Sequence, residues 1–210
     1  MKLLIIGATG GTGQELIKQA LEQGHSLTAL VRNPNKLRMS HPNLRIIEGN
    51  ILDFKKVQEA VAGQDAILSA LGHKRFFIKT NILSEGTRNI LNAMEEENVK
   101  RFICITSLGI NDSRFKLGLY YTLFVIPVII FFYFWDKAKQ EKLIQRSKLN
   151  WTIVRPGMLI NGKKRGIYRH GDNIGSYILT KMISRADVAH FILLQLNGTT
   201  YFRKSPGVAY

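Results

Sequence analysis

The amino-acid sequence predicts an α/β fold, a doubly wound parallel sheet in a single domain that covers residues 1–210. Stretches with strand character and stretches with helical apolar spacing alternate along the whole chain, which is the pattern of a sheet wrapped by helices. The strand stretches are short, nearly continuous apolar runs, as expected of parallel strands buried on both faces. The sequence contains no internal repeat, low-complexity segment or Pro/Ser/Gly-rich linker that would divide it.

The first strand, loop and helix, KLLIIGATGGTGQELIKQALEQG, are the most informative part of the sequence. An apolar strand over residues 2–6 enters a glycine-rich loop, and residues 14–23 then carry apolar side chains at helical spacing. Glycine suits this loop because the turn needs unusual backbone angles, and because a missing side chain lets a pyrophosphate approach the amides of the helix. The predicted phosphate-binding residues are Gly7, Thr9, Gly10, Gly11, Thr12 and Gly13.

The second predicted strand, SLTALVR, ends on Arg32. In a doubly wound sheet this strand end faces the adenosine ribose, where an acidic residue accepts from a 2'-hydroxyl and an arginine pairs with a 2'-phosphate. Arg32 therefore favours NADP(H) over NAD(H), and a solvated loop arginine is the alternative. The third strand, in LRIIEGNILD, ends near Asn50 and Asp53, and Asp53 is also suited to cap a helix that begins near Phe54.

Three more strands follow, in DAILSALG, VKRFICITSLG and LNWTIVRPG, with a predicted helix over residues 81–97 between the first two. A last helix, SRADVAHFILLQL, begins after Ser184, a typical N-cap residue. Ligands of such sheets bind at the carboxyl ends of the strands, so Gly72 and Ser107 are expected at the same edge as the glycine loop.

The chain carries a net charge of +15, with a tight basic cluster at Lys163, Lys164 and Arg165. An anionic ligand, a nucleic acid or an anionic membrane surface would each be attracted by such a field, and a solvated basic surface is the alternative. The sequence has no helix-turn-helix pattern, zinc-finger spacing or aromatic-basic RNA platform. We therefore expect no sequence-specific nucleic-acid partner, and the oligomeric state stays open.

Cysteine and histidine usage argues against disulfide and metal chemistry. Cys104 is the single cysteine and lies in the apolar FICIT stretch, which fits a reducing, cytoplasmic location. The five histidines are scattered without ligand spacing, so we expect no metal site. The apolar run at the amino terminus stops at Gly7 and is too short for a signal sequence, so we interpret it as a strand.

Several motifs together resemble the NmrA-like group of atypical short-chain dehydrogenases/reductases, which includes biliverdin and NAD(P)H-flavin reductases. They are GATGGTGQ, LVRNP, GNILD, EGTRNILNAMEEENVKRFICITSLG, QEKLIQRSKLNWTIVRPGML and SRADVAHFIL. The resemblance implies an NAD(P)-binding Rossmann fold and an enzyme that passes hydride from NADPH to a planar, apolar acceptor, namely a flavin, a quinone or a related carbonyl compound. A non-catalytic NADP(H)-sensing regulator or assembly factor is the alternative, since the group contains both kinds of protein.

The resemblance also implies roles for three residues near the nicotinamide: Ser107 orients a carbonyl, Tyr133 donates a proton, and Lys137 holds the ribose. A phenol needs a neighbouring cation to act as an acid near neutral pH, and the i,i+4 spacing puts both groups on one helix face. Tyr177 and Lys181 repeat the spacing, but only the first pair lies between strands five and six, where this superfamily has its catalytic helix. Tyr133 as a packed core aromatic is the alternative.

The remaining predicted cofactor residues follow from the same resemblance. Related proteins place an acidic residue near the adenine, a short segment after strand four beneath the cofactor, and a proline after strand six beside the nicotinamide. In this sequence the acidic residue is Asp53, with Asn50 as a further predicted cofactor residue at the same strand end. The other positions are Ala70, Leu71 and Gly72, and then Pro156.

Residues 117–135 form an apolar run whose length alone would suit a membrane span, at about 28 Å of helix. A simple span would put strands five and six on opposite sides of the bilayer, although a parallel sheet needs them to be neighbours. Pro127 divides the run, which favours a new helix that starts near it. We expect the run to form an apolar wall of the acceptor pocket, with a membrane-facing or partner-facing surface as the alternative.

Overall fold

A computed structural model describes residues 1–73 and 77–210, and its centre is an eight-stranded sheet. In the sheet the strands follow the order β3-β2-β1-β4-β5-β6-β10-β8, and all neighbours are parallel except β10 and β8. This architecture confirms the predicted doubly wound parallel sheet. The strands of this sheet are β1 Lys2–Ile6, β2 Ser26–Val31, β3 Leu44–Glu48, β4 Ala66–Ser69, β5 Arg101–Ile105, β6 Asn150–Pro156, β8 Arg169–Gly171 and β10 Gly207–Ala209. Two further strands, β7 Met158–Ile160 and β9 Met182–Ser184, pair in a small second sheet.

In the part of the chain that the structure describes, five α-helices cover the two faces of the sheet, because successive strand side chains point to opposite sides. Leu3 and Ile5 of β1 join the apolar cluster that contains α1 and α5, whereas Leu4 and Ile6 join the cluster that contains α2, α3 and α4. Both clusters are almost entirely shielded from solvent. The helices are α1 Gly11–Glu22, α2 Phe54–Val61, α3 Ile82–Glu96, α4 Phe131–Arg146 and α5 Arg185–Leu194.

The strand order reverses at β1, which pairs with β2 on one side and with β4 on the other. The connections that leave β1 and β4 then run to opposite faces of the sheet and open a crevice at the strand carboxyl ends. Ile6 lies opposite Leu30 and Ser69 at this edge, so the loops that follow these residues face one another.

The apolar run follows β5 and continues into the start of α4, and it contains a π-helix, Tyr121–Ile129, with Pro127 inside it. The predicted new helix near Pro127 is α4, which begins at Phe131. No single helix of the described residues is long and apolar enough to cross a membrane, and the π-helix and α4 reach such a length only as a pair bent by 98°. β5 and β6, on either side of the run, are paired neighbours.

Candidate cofactor and acceptor site

A cleft of about 990 Å³ lies at the carboxyl ends of β1, β2 and β4. It is lined by residues of the glycine loop, of the ends of β2 and β3, of the segment after β4, and of α4. Eight predicted cofactor residues line it, namely Gly7, Thr9, Gly10, Arg32, Asn50, Ala70, Leu71 and Gly72. The sheet topology thus brings together residues that are far apart in the sequence.

The glycine loop is shaped by two positions that tolerate no side chain. Gly7 has a φ of +79°, and a Cβ there would collide with the carbonyl oxygen of Ala70. A Cβ on Gly13 would collide with the carbonyl oxygen of Gly7, so Gly13 lets α1 pack against the loop. Among the described residues, no side chain caps the amino end of α1, whose N-cap is Gly10. The loop therefore leaves the first helix amides to a ligand and fits a pyrophosphate.

Gly11, Thr12 and Gly13 are not among the described residues that line the cleft. Gly11 begins α1, and Thr12 and Gly13 are buried within its first turn. Thr12 and Gly13 thus support the loop from behind rather than form its surface, and their assignment as cofactor contacts stays a prediction.

Two basic side chains line the cleft at the end of β2. Arg32 was predicted, whereas Lys36 was missed by the sequence reasoning. The Asn33 side chain accepts a hydrogen bond from the Asn35 amide at 3.0 Å and caps the 3₁₀ turn Pro34–Lys36, which carries Lys36 to the cleft. The sequence signal was present in the Asn-Pro pair after the strand, since asparagine caps such turns and proline starts them.

The end of β3 contributes one of its two predicted residues to the cleft. Asn50 lines the cleft, and its side-chain oxygen accepts from the Leu52 amide at 3.1 Å. Asp53 does not line it among the described residues; its carboxylate caps α2 by accepting from the Lys56 amide at 3.3 Å. The cap expected for Asp53 is present, and its adenine contact stays a prediction.

Tyr133 stands at the other end of the cleft, beside the segment that follows β4. A Cβ placed on Gly72 would lie 3.3 Å from the Tyr133 hydroxyl oxygen, so this hydroxyl lies against the strand end. The His73 ring meets the Tyr133 ring edge to face, with centroids 4.9 Å apart, and His73 is also bonded to the Thr80 hydroxyl at 3.1 Å. Tyr133 is thus a half-buried wall residue of the cleft that also packs against the apolar cluster of Leu108 and Phe134.

Lys137 lies one helical turn after Tyr133, as its spacing predicted, but it is buried. Its ammonium nitrogen is 5.4 Å from the centre of the Tyr133 ring and donates to the Ile105 carbonyl at 3.2 Å. The side chain is 3% exposed and does not line the cleft among the described residues. Lys137 therefore lies beside the Tyr133 ring inside the protein, and its predicted ribose contact stays a prediction.

Ser107 follows the end of β5, where the sequence placed it, and is half-buried. Its hydroxyl donates to the Leu108 carbonyl at 2.8 Å, and the residue is not among the described residues that line the cleft. Pro156 is likewise outside that group, and its carbonyl accepts from the Leu108 amide at 3.0 Å. Of the three predicted catalytic residues, the structure places only Tyr133 on the cleft surface.

An ionic network, buried except at the exposed Asp112 side chain, holds the loop that follows Ser107. Arg155 of β6 donates to Glu141 of α4 and to Asp112, which lies in the 3₁₀ turn Asn111–Ser113. Glu141 also accepts from the Thr106 hydroxyl at 2.6 Å. Hydrogen bonds from Arg155 lower the pKa of the Asp112 carboxyl despite partial burial. An arginine inside an otherwise apolar strand was the sequence signal that carboxylates would be found around it.

Arg185 and Leu159 also line the cleft and were not predicted. Arg185 donates to the Asn161 side chain at 2.8 Å, and a Cβ on Gly11 would lie 2.7 Å from its Cδ atom. Arg185 therefore lies across the glycine loop, near where phosphates are expected. Nothing local in its sequence indicates this position, because it depends on the packing of α5 against α1.

The apolar run forms much less of the cleft than the sequence led us to expect. Within residues 117–135 only Tyr133 is among the described residues that line it, and many of the other side chains are exposed to solvent. The interpretation as a pocket wall is therefore corrected for most of the run. The bend of 98° before α4 turns the π-helix away from the direction of the helix that carries Tyr133.

A family model described as NAD(P)H-binding matches residues 7–199. Among curated proteins, the chain is similar to an uncharacterized chloroplastic protein of Arabidopsis thaliana, at 29% identity over 79% of this chain and 61% of that protein. It is also 28% identical to a photosystem II assembly factor of Synechocystis, over 77% of this chain and 46% of the factor. The chain thus spans about three fifths and about half of the length of these two relatives.

Solved structures share the fold. The anaerobillin reductase ChuY of Escherichia coli O157:H7 superposes with a TM-score of 0.83 at 22% identity, over 100% of this chain and 97% of that one. A short-chain dehydrogenase/reductase of Veillonella parvula in complex with NADP has a TM-score of 0.81 at 20% identity, over 100% of this chain and 94% of that one. The family match thus confirms the predicted NAD(P)-binding family, and these likenesses show that the chain shares its fold with NAD(P)-binding reductases.

Proposed function

The chain belongs to the NAD(P)H-binding family, and we propose that it is an NADPH-dependent oxidoreductase that passes hydride to a planar, apolar acceptor such as a flavin, a quinone or a related carbonyl compound. The observation that carries the proposal is the composition of the cleft at the strand ends. One end has a glycine loop and basic side chains, and the other end has apolar side chains, the Tyr133 phenol and the His73 ring.

The adenine half of the cleft supports a preference for NADPH. Arg32 and Lys36 both line it at the end of β2, and the residues between them are neutral. The 2'-phosphate of NADPH is negatively charged, and a pair of cations stabilises that charge. The 2'-hydroxyl of NADH is neutral and prefers an acidic acceptor. Arg185 adds a third cation beside the glycine loop, where the pyrophosphate would lie.

The acceptor half of the cleft supports a flat, apolar substrate. Leu71, Ile82 and Leu159 line it, so a planar ring would bury its faces against apolar side chains. The bound cofactor would supply the hydride. Tyr133 is the side chain placed to orient the acceptor and to give a proton to a carbonyl oxygen, with the Lys137 ammonium beneath its ring.

A second function, sensing of NADP(H) without catalysis, is favoured by two other observations. Lys137 donates to the Ile105 carbonyl and Ser107 donates to the Leu108 carbonyl, and neither residue is among the described residues that line the cleft. A photosystem II assembly factor is also among the relatives of this chain. The cofactor half of the site would serve both functions equally.

Turnover separates the two functions. We would titrate the protein with NADPH by quenching of tryptophan fluorescence, and then follow NADPH oxidation at its absorbance maximum with flavins, quinones and aldehydes as acceptors. The enzyme proposal expects both binding and turnover. Tight NADPH binding without turnover of any acceptor class would leave the sensor, and absence of NADPH binding would contradict both.

We further propose that the protein acts in a reducing, cytoplasmic compartment and on a small molecule rather than on a specific nucleic-acid sequence. Burial raises the pKa of the Cys104 thiol to about 12, so this cysteine is inert and needs no oxidising environment. Within the described residues, no group of three or more His, Cys, Asp and Glu side chains is arranged to hold a metal ion.

A further inference from the structure

We propose that the protein docks on an anionic lipid bilayer through one exposed surface, here called the apolar face. The surface combines the outer side chains of the apolar run with a second apolar segment that follows β8. Its members are Leu119, Tyr120, Leu123, Phe124, Val128, Ile129, Phe131, Phe132, Tyr177, Ile178 and Leu179.

The two segments meet at the start of the apolar run, because their backbones pack side by side there. The Leu119 amide donates to the Ile178 carbonyl at 3.2 Å, and the Thr180 hydroxyl donates to the Leu117 carbonyl at 3.1 Å. A Cβ on Gly118, which has a φ of +91°, would lie 2.8 Å from the Leu179 carbonyl carbon. This close contact holds residues 117–119 and 178–180 together.

The apolar face is much more exposed than a core surface. Val128 is 71% exposed and Ile178 75%, and none of the nine residues of the π-helix Tyr121–Ile129 is buried. Isolated exposed apolar side chains are ordinary, but contiguous ones mark an interaction surface, because water contact with them is unfavourable.

The inner side of the same segment is anchored to the protein. Tyr121, Ile126 and Ile130 pack on the apolar cluster of Leu108 and Phe134, and the Tyr121 hydroxyl lies 3.1 Å from the Met158 sulfur. The segment is therefore apolar on both sides, with one side covered by the domain. The other side needs a second apolar medium to cover it.

The charges at the border of the apolar face favour an anionic lipid bilayer as the medium that covers this face. The sequence from Lys116 to Trp135 contains no acidic residue, and Asp136, which follows it, is buried. Arg114 lies over the Phe115 ring, and Lys139 lies 3.4 Å from the centre of the Trp135 ring. Basic residues and an indole around an apolar centre match the headgroup and acyl layers of a bilayer.

The same charges disfavour a second copy of the chain as the occupant. Two chains of net charge +15 would have to bring their cationic borders together, whereas an anionic bilayer offers opposite charge over the whole surface. A crossing of the bilayer is also disfavoured, because α4 is tied into the domain by Asp136 and by the Gln140 bond to Thr87. The apolar face therefore lies on the bilayer rather than spans it.

The test is co-sedimentation of the full chain with vesicles. We expect binding to vesicles of phosphatidylglycerol mixed with phosphatidylcholine and much weaker binding to phosphatidylcholine alone. High salt should weaken the binding without abolishing it, because screening removes only the electrostatic part. Complete release by salt would contradict insertion of the apolar face.

Variants connect the binding to the surface. Val128→Asp and Ile178→Asp each put a charge into the bilayer, and each should weaken vesicle binding by at least about tenfold. Ile167→Asp is the matched control, since Ile167 is 83% exposed and lies outside the apolar face. Equal loss in the control would contradict the assignment, and so would unchanged binding in both test variants.

Folding and self-association are checked on the same samples. NADPH affinity and the midpoint of thermal unfolding should be the same in the three variants. Because the two test substitutions lie on different segments, the second still tests the proposal if the first variant misfolds. Sedimentation velocity without lipid should show the same association state for wild type and variants. A dimer that Val128→Asp dissociates, with no vesicle binding by wild type, would make a second copy the occupant and overturn the proposal.

Discussion

Arg155 donates to Glu141 through Nη2 at 2.7 Å and through Nε at 3.0 Å, and neither side chain is more than 2% exposed. The same guanidinium donates to both oxygens of Asp112, at 2.6 and 2.8 Å. This arrangement joins β6 and α4 to the turn that follows β5. It therefore sets the position of two elements near the cleft, the segment after Ser107 and the helix that carries Tyr133.

Replacing Arg155 by methionine should destabilise the protein strongly, because it leaves the buried Glu141 carboxylate without its partner. We expect the free energy of unfolding in urea to fall by about 3–5 kcal/mol. Arg88→Met is the control, since Arg88 pairs with Glu85 at the surface and should cost less than about 1 kcal/mol. Similar losses in the two variants would contradict the structural role of Arg155.

Asp136 caps a helix to which it does not belong. Its carboxylate accepts from the Leu83 and Ser84 amides in the first turn of α3, at 2.9 and 3.1 Å, while the N-cap residue Asn81 makes no side-chain cap. Asp136→Ala should lower the free energy of unfolding by about 1–3 kcal/mol, because these buried donors lose their acceptor. Asn81→Ala should have little effect; a larger loss there than at Asp136 would be inconsistent with the cap.

Removal of the cations at the end of β2 should alter cofactor choice. Arg32→Ala and Lys36→Ala should each weaken NADPH binding by roughly tenfold or more while NADH binding changes little, because in the proposed site only the 2'-phosphate would contact them. Fluorescence titration with both cofactors measures the ratio. Arg38→Ala is the control, an exposed neighbour outside the residues that line the cleft. Equal weakening of NADPH and NADH would argue against a 2'-phosphate site.

Tyr133→Phe tests proton donation at the acceptor end of the cleft. With a carbonyl acceptor, kcat should fall by about 10² or more, whereas a flavin, which takes protons from water, should be reduced at an unchanged rate. Tyr177→Phe repeats the change in the second tyrosine-lysine pair, at a side chain that is 66% exposed and outside the cleft. If both variants keep full activity with every acceptor, Tyr133 is a wall residue only.

Acid should destabilise the protein in part through Asp187. Burial alone would raise the pKa of this carboxyl, but hydrogen bonds from Tyr210, Gly166, Ser184 and Arg165 outweigh burial and lower it. A group whose pKa is lower in the folded state contributes stability above its unfolded pKa, and this contribution is lost as the pH falls through the folded pKa. The stability difference between wild type and Asp187→Asn should therefore shrink below a pH of about 4. A difference that is constant with pH in urea unfolding would contradict the shift.

Local sequence patterns were sufficient to predict the glycine loop and the strand end that border the cleft. Gly7 and Gly13 indicated a tight strand-loop-helix turn, and Arg32 marked the end of β2, because both signals lie within a few neighbouring residues. Lys36 could have been found from the Asn-Pro pair before it. Arg185 could not, because its place in the cleft depends on how α5 packs against α1.

The sequence by itself determined the fold class, the family and the edge of the sheet where a cofactor binds, since apolar periodicity and glycine spacing are properties of short segments. Only the tertiary structure decided which side chains meet. It placed Lys137 beneath Tyr133 instead of on the cleft surface, joined Asp136 to the start of α3, and left the outer side of residues 117–135 exposed. Contacts and exposure depend on segments that are distant in the chain, and an apolar run has the same composition whether a core, a pocket or a bilayer covers it.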